Sequence, residues 1–209
     1  ARSLVNNSKF YDWEFHVIVL DKKVVDGFAV PGGYLFITLG AIKSCNDESE
    51  LAAIIGHEMG HIIRKHGLQE MTQRTGHIKM DEAFSELDDE TGGWDEETSK
   101  VESDMDDIIA SSYEHVVHDR LLSYEIEADQ VSAILLAEAG YDPFAITRIQ
   151  SRLAAQHQKT KDIFDNNYLA PNDLKERCKL STEFVDDNFT KKSPGSKCVD
   201  RFIRMKSKF

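Results

Sequence analysis

Two histidines four residues apart enclose a carboxylate in the run His57-Glu58-Met59-Gly60-His61. On a helix, residues i and i+4 stand one above the other, so both imidazoles can reach one cation. Glu58, about a hundred degrees round the axis, can then reach a water at that cation, which gives two ligands and a general base for zinc-assisted hydrolysis. Such a string arises by accident in on the order of one chain in two hundred of this length, so its flanks must decide. Asp47 followed by Glu50 reads as an N-cap with a capping box, and Leu51, Ile54, Ile55, Ile62 and Ile63 supply an apolar stripe. Gly67 offers a stop after His66, whose ring is expected among the last carbonyls of the helix.

A third ligand must come from elsewhere. One class of zinc peptidase takes a His six residues beyond the second histidine, but that position is Gly67 and His66 falls one short. The other common solution is a Glu from a second helix, with an Asp one turn later holding a ligand His by its free ring nitrogen. Downstream, this spacing occurs at Glu102/Asp106, Glu125/Asp129, Glu138/Asp142 and Glu183/Asp187. The first pair lies in an acidic run, the third straddles Gly140 ahead of Pro143, and the fourth has weak apolar periodicity. Glu125 and Asp129 sit inside a sustained amphipathic pattern of Leu121, Leu122, Ile126, Val131, Ile134, Leu135 and Leu136, with Ala128 small enough for close helix approach.

Four blocks appear in order: Val25-Asp26-Gly27-Phe28-Ala29-Val30-Pro31-Gly32-Gly33, the His57–His61 run, Glu125-Ile126-Glu127-Ala128-Asp129, and Ala139-Gly140-Tyr141-Asp142-Pro143. Together they resemble the soluble branch of the HtpX and BepA-like gluzincin metallopeptidases, relatives of the CAAX prenyl proteases, over residues 13–143 with one gap. The resemblance implies an α+β, mainly helical, zincin-like metalloprotease domain with a small antiparallel sheet packed on the motif helix. It implies one Zn2+ per chain on His57, His61 and Glu125, with Asp129 orienting a ligand histidine. Val25, Asp26, Gly27, Phe28 and Ala29 would form a sheet edge that pairs with an extended polypeptide substrate. Gly27 there reads either as room for a bulky substrate group or as a bulge or turn.

Two departures stand out. The family usually shows Asn-Ala-Phe-Ala where this chain has Asp26-Gly27-Phe28-Ala29, and a His-Pro followed by Arg where it has Ala170-Pro171 and Arg177. Arg177, His157, Tyr168 and His115 are the candidates for the catalytic contact that the absent His would make. The implied activity is a zinc endopeptidase acting on extended or misfolded protein segments, in protein quality control outside the cytoplasm, in a periplasm. Two rival readings are a chaperone-like zinc protein that binds unfolded chains at its sheet edge and a latent peptidase gated by an acidic insertion. A purely structural zinc site fits poorly, because such sites close with four protein ligands and no fourth is evident.

The 209 residues suffice for one core, so residues 1–209 are read as one catalytic domain. A formal charge of -12 and an isoelectric point near 5.1 argue against nucleic acid and anionic membrane as partners. No window approaches the ~20 apolar residues of a membrane span, so no transmembrane segment is expected in this chain. Residues 81–107 hold thirteen acidic residues and one basic one, a charged insertion that reads as a solvated loop or as a lid over the cleft. Cys45 reads as a buried thiol, while a Cys178–Cys198 disulfide and free thiols both stay open. His115 and His118 read as a surface pair rather than a second metal site, and His16 and His77 carry no assignable chemistry.

The elements that must position these residues follow from periodicity. Strands are expected over 15–20, 24–30 and 34–38, with turns at 21–23 and 31–33, then a short helix over 39–44. The motif helix is expected to extend past Gly67 towards residue 74. Further helices are expected over 106–139, from Pro143 to about 158, and over 172–185, with a basic tail over 191–208 packed by Phe202 and Ile203.

Overall fold

The computed structural model describes residues 1–6, 8–73, 75, 121–157, 171–189 and 195–207. A short helix α1 (Arg2–Val5) buries Leu4 and Val5. Strands β1 (His16–Leu20), β2 (Gly27–Val30) and β3 (Tyr34–Thr38) then lead into helix α2 (Leu39–Ser44). The motif helix α3 (Glu48–Ile63) is followed by helical residues 66–73, α4, and by helical residues 121–138, α5. Helices α6 (Ala145–His157), α7 (Pro171–Asn188) and α8 (Val199–Lys206) complete the described chain. No helix among the described residues is long and apolar enough to cross a membrane.

The sheet corrects the antiparallel expectation. Its order is β1-β3-β2, with β2 antiparallel to β3 but β1 parallel to it. The segment after β1 passes over the end of β3, so β2 lies on the far side. Thr38 holds it there: its hydroxyl donates to Val24 O (2.6 Å) and accepts from the Asp26 and Ala41 amides (3.1 Å each). One side chain thereby ties the crossing loop and caps α2. Leu35 and Ile37 of β3 are buried on the face towards α3, while Phe36 stacks on Phe28 on the other face.

The capping box of α3 forms with one variation. The Glu50 amide donates to Asp47 Oδ1 (2.9 Å), while the Glu50 carboxylate accepts from the amide of Asn46 (2.8 Å). The helix ends at Ile63, earlier than expected, because Lys65 adopts a left-handed conformation (φ 61°) and breaks it from α4. Where α3 crosses α5, Gly56 and Gly60 oppose Ser132 and Ala128, and a Cβ at Gly60 would stand 2.9 Å from the Ala128 backbone. The Ser132 hydroxyl donates across this contact to Ala53 O (2.8 Å). Leu35, Ala53, Met59, Ala133, Leu135, Leu136, Ile146, Ile149 and Val185 form the core around it.

The first turn of α3 also anchors later helices. Arg148 and Arg152 of α6 pair with Asp47, Asp142 and Glu50, with Arg152 Nη1 at 3.0 Å from Glu50 Oε1. From α8, Arg201 bonds to Glu48 (Nε to Oε2, 2.6 Å) and Lys206 donates to Cys45 O (2.7 Å). Phe202 is buried as expected, but Ile203 is exposed: α8 is a helix docked by one face rather than a tail packed by both residues. Cys45, Cys178 and Cys198 are free thiols, so the Cys178–Cys198 bridge is absent. The segment 81–107 and residues 106–120 of the expected long helix lie outside the described residues.

Candidate active site

Helix α3 presents His57 and His61 on one face, and the tight crossing at Gly60/Ala128 brings Glu125 of α5 against both. His57 Nε2 and His61 Nε2 lie 3.1 Å apart, and each is 3.3 Å from a different oxygen of Glu125. These separations are close to the roughly 3.3 Å edge of a tetrahedron built on zinc bonds of about 2.0–2.1 Å. With their Nε2 atoms deprotonated, two imidazoles facing each other beside a carboxylate would form a donor set that suits a divalent cation. Among the described residues, His57, His61 and Glu125 are the group able to hold one.

Asp129, one turn beyond Glu125, is fully buried and contacts His57 Nδ1 through Oδ1 at 2.9 Å. Helix α7 closes the far side. Arg177 donates through Nε and Nη2 to both Asp129 oxygens (2.8 Å each) and through Nη1 to Glu125 Oε2 (2.5 Å). Ser181, one turn further on α7, donates to Asp129 Oδ2 (2.9 Å). Arg177, expected as a candidate for contact with a reacting group, is therefore committed to the carboxylates of Glu125 and Asp129. Ser181 went unnoticed in the sequence. Its i, i+4 relation to Arg177 was visible, but only packing reveals what that face meets.

The charges interlock. Burial alone would lower the His57 pKa, but Glu125 and Asp129 push it up to about 10, so the ring carries a proton whenever no cation competes. Burial would raise Glu125 and Asp129, yet Arg177 and His57 hold both well below the usual carboxylate range. Glu58 differs: burial raises it, and the opposing pull of the two histidines does not cancel that effect. A buried carboxylate with raised proton affinity, close to His57 and His61, is able to accept a proton near neutral pH.

Strand β2 runs alongside. A Cβ at Gly27 would stand 3.1 Å from Glu58 Oε1 and 3.2 Å from Ile37 Cδ1, so the space left by the missing side chain is taken by Glu58 rather than kept for a substrate group. Gly27 is the first paired residue of β2, opposite Ile37, not a bulge. The Asp26 carbonyl accepts from the Thr38 amide (3.1 Å), so by alternation Gly27 and Ala29 turn their backbone groups to the unpaired edge. There the Gly27 amide donates to Asp26 Oδ1 (2.8 Å), while Val25 precedes the strand and packs among Ile37, Ala41 and Ile42. Phe28 points to the opposite face.

His66 also departs from expectation. The turn at Lys65 swings its ring away from the helix end and against His61, with the two Nδ1 atoms 3.0 Å apart. Burial, then the neighbouring His61, push it down to about 4, so it is neutral. His115, His118 and Tyr168, and the ring of His157 at the end of α6, lie outside the described residues.

The sequence model of peptidase family M48 matches residues 1–166. The mitochondrial metalloendopeptidase OMA1 of Arabidopsis thaliana is 24% identical over 153 residues, covering 73% of this chain and 28% of that protein. The protein of the same name in Schizosaccharomyces pombe is 26% identical over 151 residues, covering 71% of this chain and 40% of that protein. A putative beta-barrel assembly-enhancing protease of Vibrio cholerae is 26% identical over 151 residues, covering 69% and 29% respectively. The chain thus spans at most 40% of the length of these three relatives.

Proposed function

The chain belongs to peptidase family M48, and from that premise we propose that it is a zinc-dependent endopeptidase that hydrolyses peptide bonds in extended or unfolded protein segments. The observation that carries this reading is the convergence of His57, His61 and Glu125 beside the buried Glu58. His57, His61 and Glu125 would hold one Zn2+ per chain, which when bound would supply a Lewis acid to polarise the scissile carbonyl and acidify water. Glu58 takes the proton of the attacking water and delivers it to the departing amine. Its raised proton affinity suits both halves of that transfer.

Asp129 accepts a hydrogen bond from His57 Nδ1–H, which keeps Nε2 free to face the cation. Arg177 and Ser181 hold Asp129 in turn, so they act as positioning residues. The edge of β2 offers the Gly27 carbonyl and the Ala29 amide and carbonyl to an extended substrate, the Gly27 amide being held by Asp26 Oδ1, and gives affinity with little sequence selectivity. A protein that only captured unfolded chains would need no buried base, which favours hydrolysis over the chaperone-like reading. The relative named for β-barrel assembly supports an extracytoplasmic, periplasmic site, whereas the relatives named mitochondrial support an organelle.

The test compares degradation of an unstructured protein by the native chain and by Glu58→Gln, both shown to carry zinc. Loss of at least about a hundredfold in turnover is expected for the variant. Equal cutting by the two would sink the assignment of Glu58, and zinc-loaded native protein that cuts nothing would sink the peptidase reading.

A further inference from the structure

His57 leans on Asp129, but nothing in the sequence pattern assigned a comparable partner to His61. A zinc ligand held only by its own side-chain torsions would be loosely oriented, because a neutral imidazole can carry its proton on either nitrogen. Resting on the zinc reading above, we infer that His66 is the positioning residue of His61: its Nδ1 accepts the His61 Nδ1–H and fixes the tautomer whose Nε2 faces the cation.

The geometry leaves one consistent arrangement of protons. His61 Nε2 stands 3.1 Å from His57 Nε2 and 3.3 Å from Glu125 Oε1, at the point where the ligands converge, so it must be bare when a cation is held. The His61 proton therefore sits on Nδ1, which is 3.0 Å from His66 Nδ1. Two nitrogens at that distance share a single proton, so His66 Nδ1 is the acceptor and its own proton lies on Nε2. That nitrogen has no hydrogen-bond partner among the described residues, and the nearest carboxylate oxygen paired with it is Glu127 Oε2, at 3.8 Å.

The backbone supports this placement. In an unbroken helix a residue five positions after His61 would lie about 140° round the axis, facing away from it. The left-handed Lys65 (φ 61°) breaks the helix and turns His66 back. Its ring is then clamped flat on Tyr124, the residue before Glu125, with centroids 4.3 Å apart and 13° between planes, and the residue is buried. A neutral acceptor orients His61 without adding a further buried negative charge beside Glu58, Glu125 and Asp129.

Two measurements test the inference. In zinc-loaded protein labelled with 15N-histidine, ring-nitrogen shifts should show His66 as the Nε2–H tautomer and His61 as Nδ1–H. A proton on His66 Nδ1 would overturn the assignment without needing any variant. Chelator competition should show His66→Phe, which keeps the ring stack but lacks the acceptor, binding zinc about 10–100-fold more weakly. His66→Asn, whose side-chain oxygen can take the Nδ1 position, should recover most of that loss, with both variants shown by thermal melts to fold without zinc. Native zinc affinity in His66→Phe, or Asn no better than Phe, would refute the role. A native chain that binds no zinc would instead refute the zinc reading, and this inference with it.

Discussion

At the residue scale, the site is a stack of charges in which each layer holds the one before it. His57 and Glu125 face the cation position, Asp129 stands behind His57, and Arg177 stands behind both carboxylates. Removing the last layer exposes the cost of the rest. Arg177→Met should destabilise the zinc-free protein by about 3–5 kcal/mol, because two buried carboxylates lose their compensating charge. Zinc should restore part of the loss by supplying positive charge beside Glu125. Urea unfolding of the variant with and without zinc measures this, and a loss unaffected by zinc would mean that Arg177 serves the fold alone. The convergence of His57 and His61 was legible as a spacing of four with Glu58 between them, and Glu125 with Asp129 as the acid pair on the apolar-backed helix. Ser181 and the turned-in His66 were not, since no local pattern reports what a helix face meets.

At the element scale, convergence depends on how closely α3 and α5 cross. Gly60→Ala would press a methyl against the Ala128 backbone, which cannot yield as a side-chain tip can. A stability loss of about 1–3 kcal/mol is expected, with weaker zinc binding as Glu125 is pushed outward. Gly67→Ala is the control: among the described residues its Cβ would meet Pro31 alone, at 3.6 Å, and a change within about 0.5 kcal/mol is expected. Thermal melts and chelator competition on the pair separate crowding at the crossing from loss of glycine as such, and equal effects would refute the crowding argument. The three strands and helices α2, α3, α5, α6 and α7 were readable from periodicity, whereas the short α1 and the terminal α8, read as a tail, were not. The sheet order was not, because it is set by Thr38 reaching residues 24 and 26 across the end of β3.

At the scale of the whole molecule, α6 and α8 are docked on the first turn of the motif helix through Glu48 and Glu50, so the stability of the assembly is tied to pH at a distance from the ligands. Burial would raise Glu50, but Arg152 and the Asn46 amide outweigh it and lower its pKa. A carboxylate depressed on folding contributes stability that is present above its unfolded value of about 4.3 and is lost as pH falls through the folded value. Acid titration of the unfolding free energy should therefore show a decline below about pH 4.3 that is shallower in Arg152→Met, where Glu50 has lost its first partner. An unchanged slope would show that other carboxylates govern the acid limb.

The spacing of His57, Glu58 and His61, the cap at Asp47 and the apolar backing of 121–136 acted within three or four residues of one another, the range over which helix geometry makes sequence predictive. They determined where the motif helix starts and which acid had a helix able to carry it. What lay beyond that range was decided by packing. The close approach of Gly60 to Ala128 brings Glu125 to the histidines, α7 turns Arg177 onto the carboxylates rather than towards the cleft, and a single left-handed residue turns His66 onto His61. Each of these joins segments whose contact depends on the mutual exclusion of volume in the core, which no periodicity along the chain encodes.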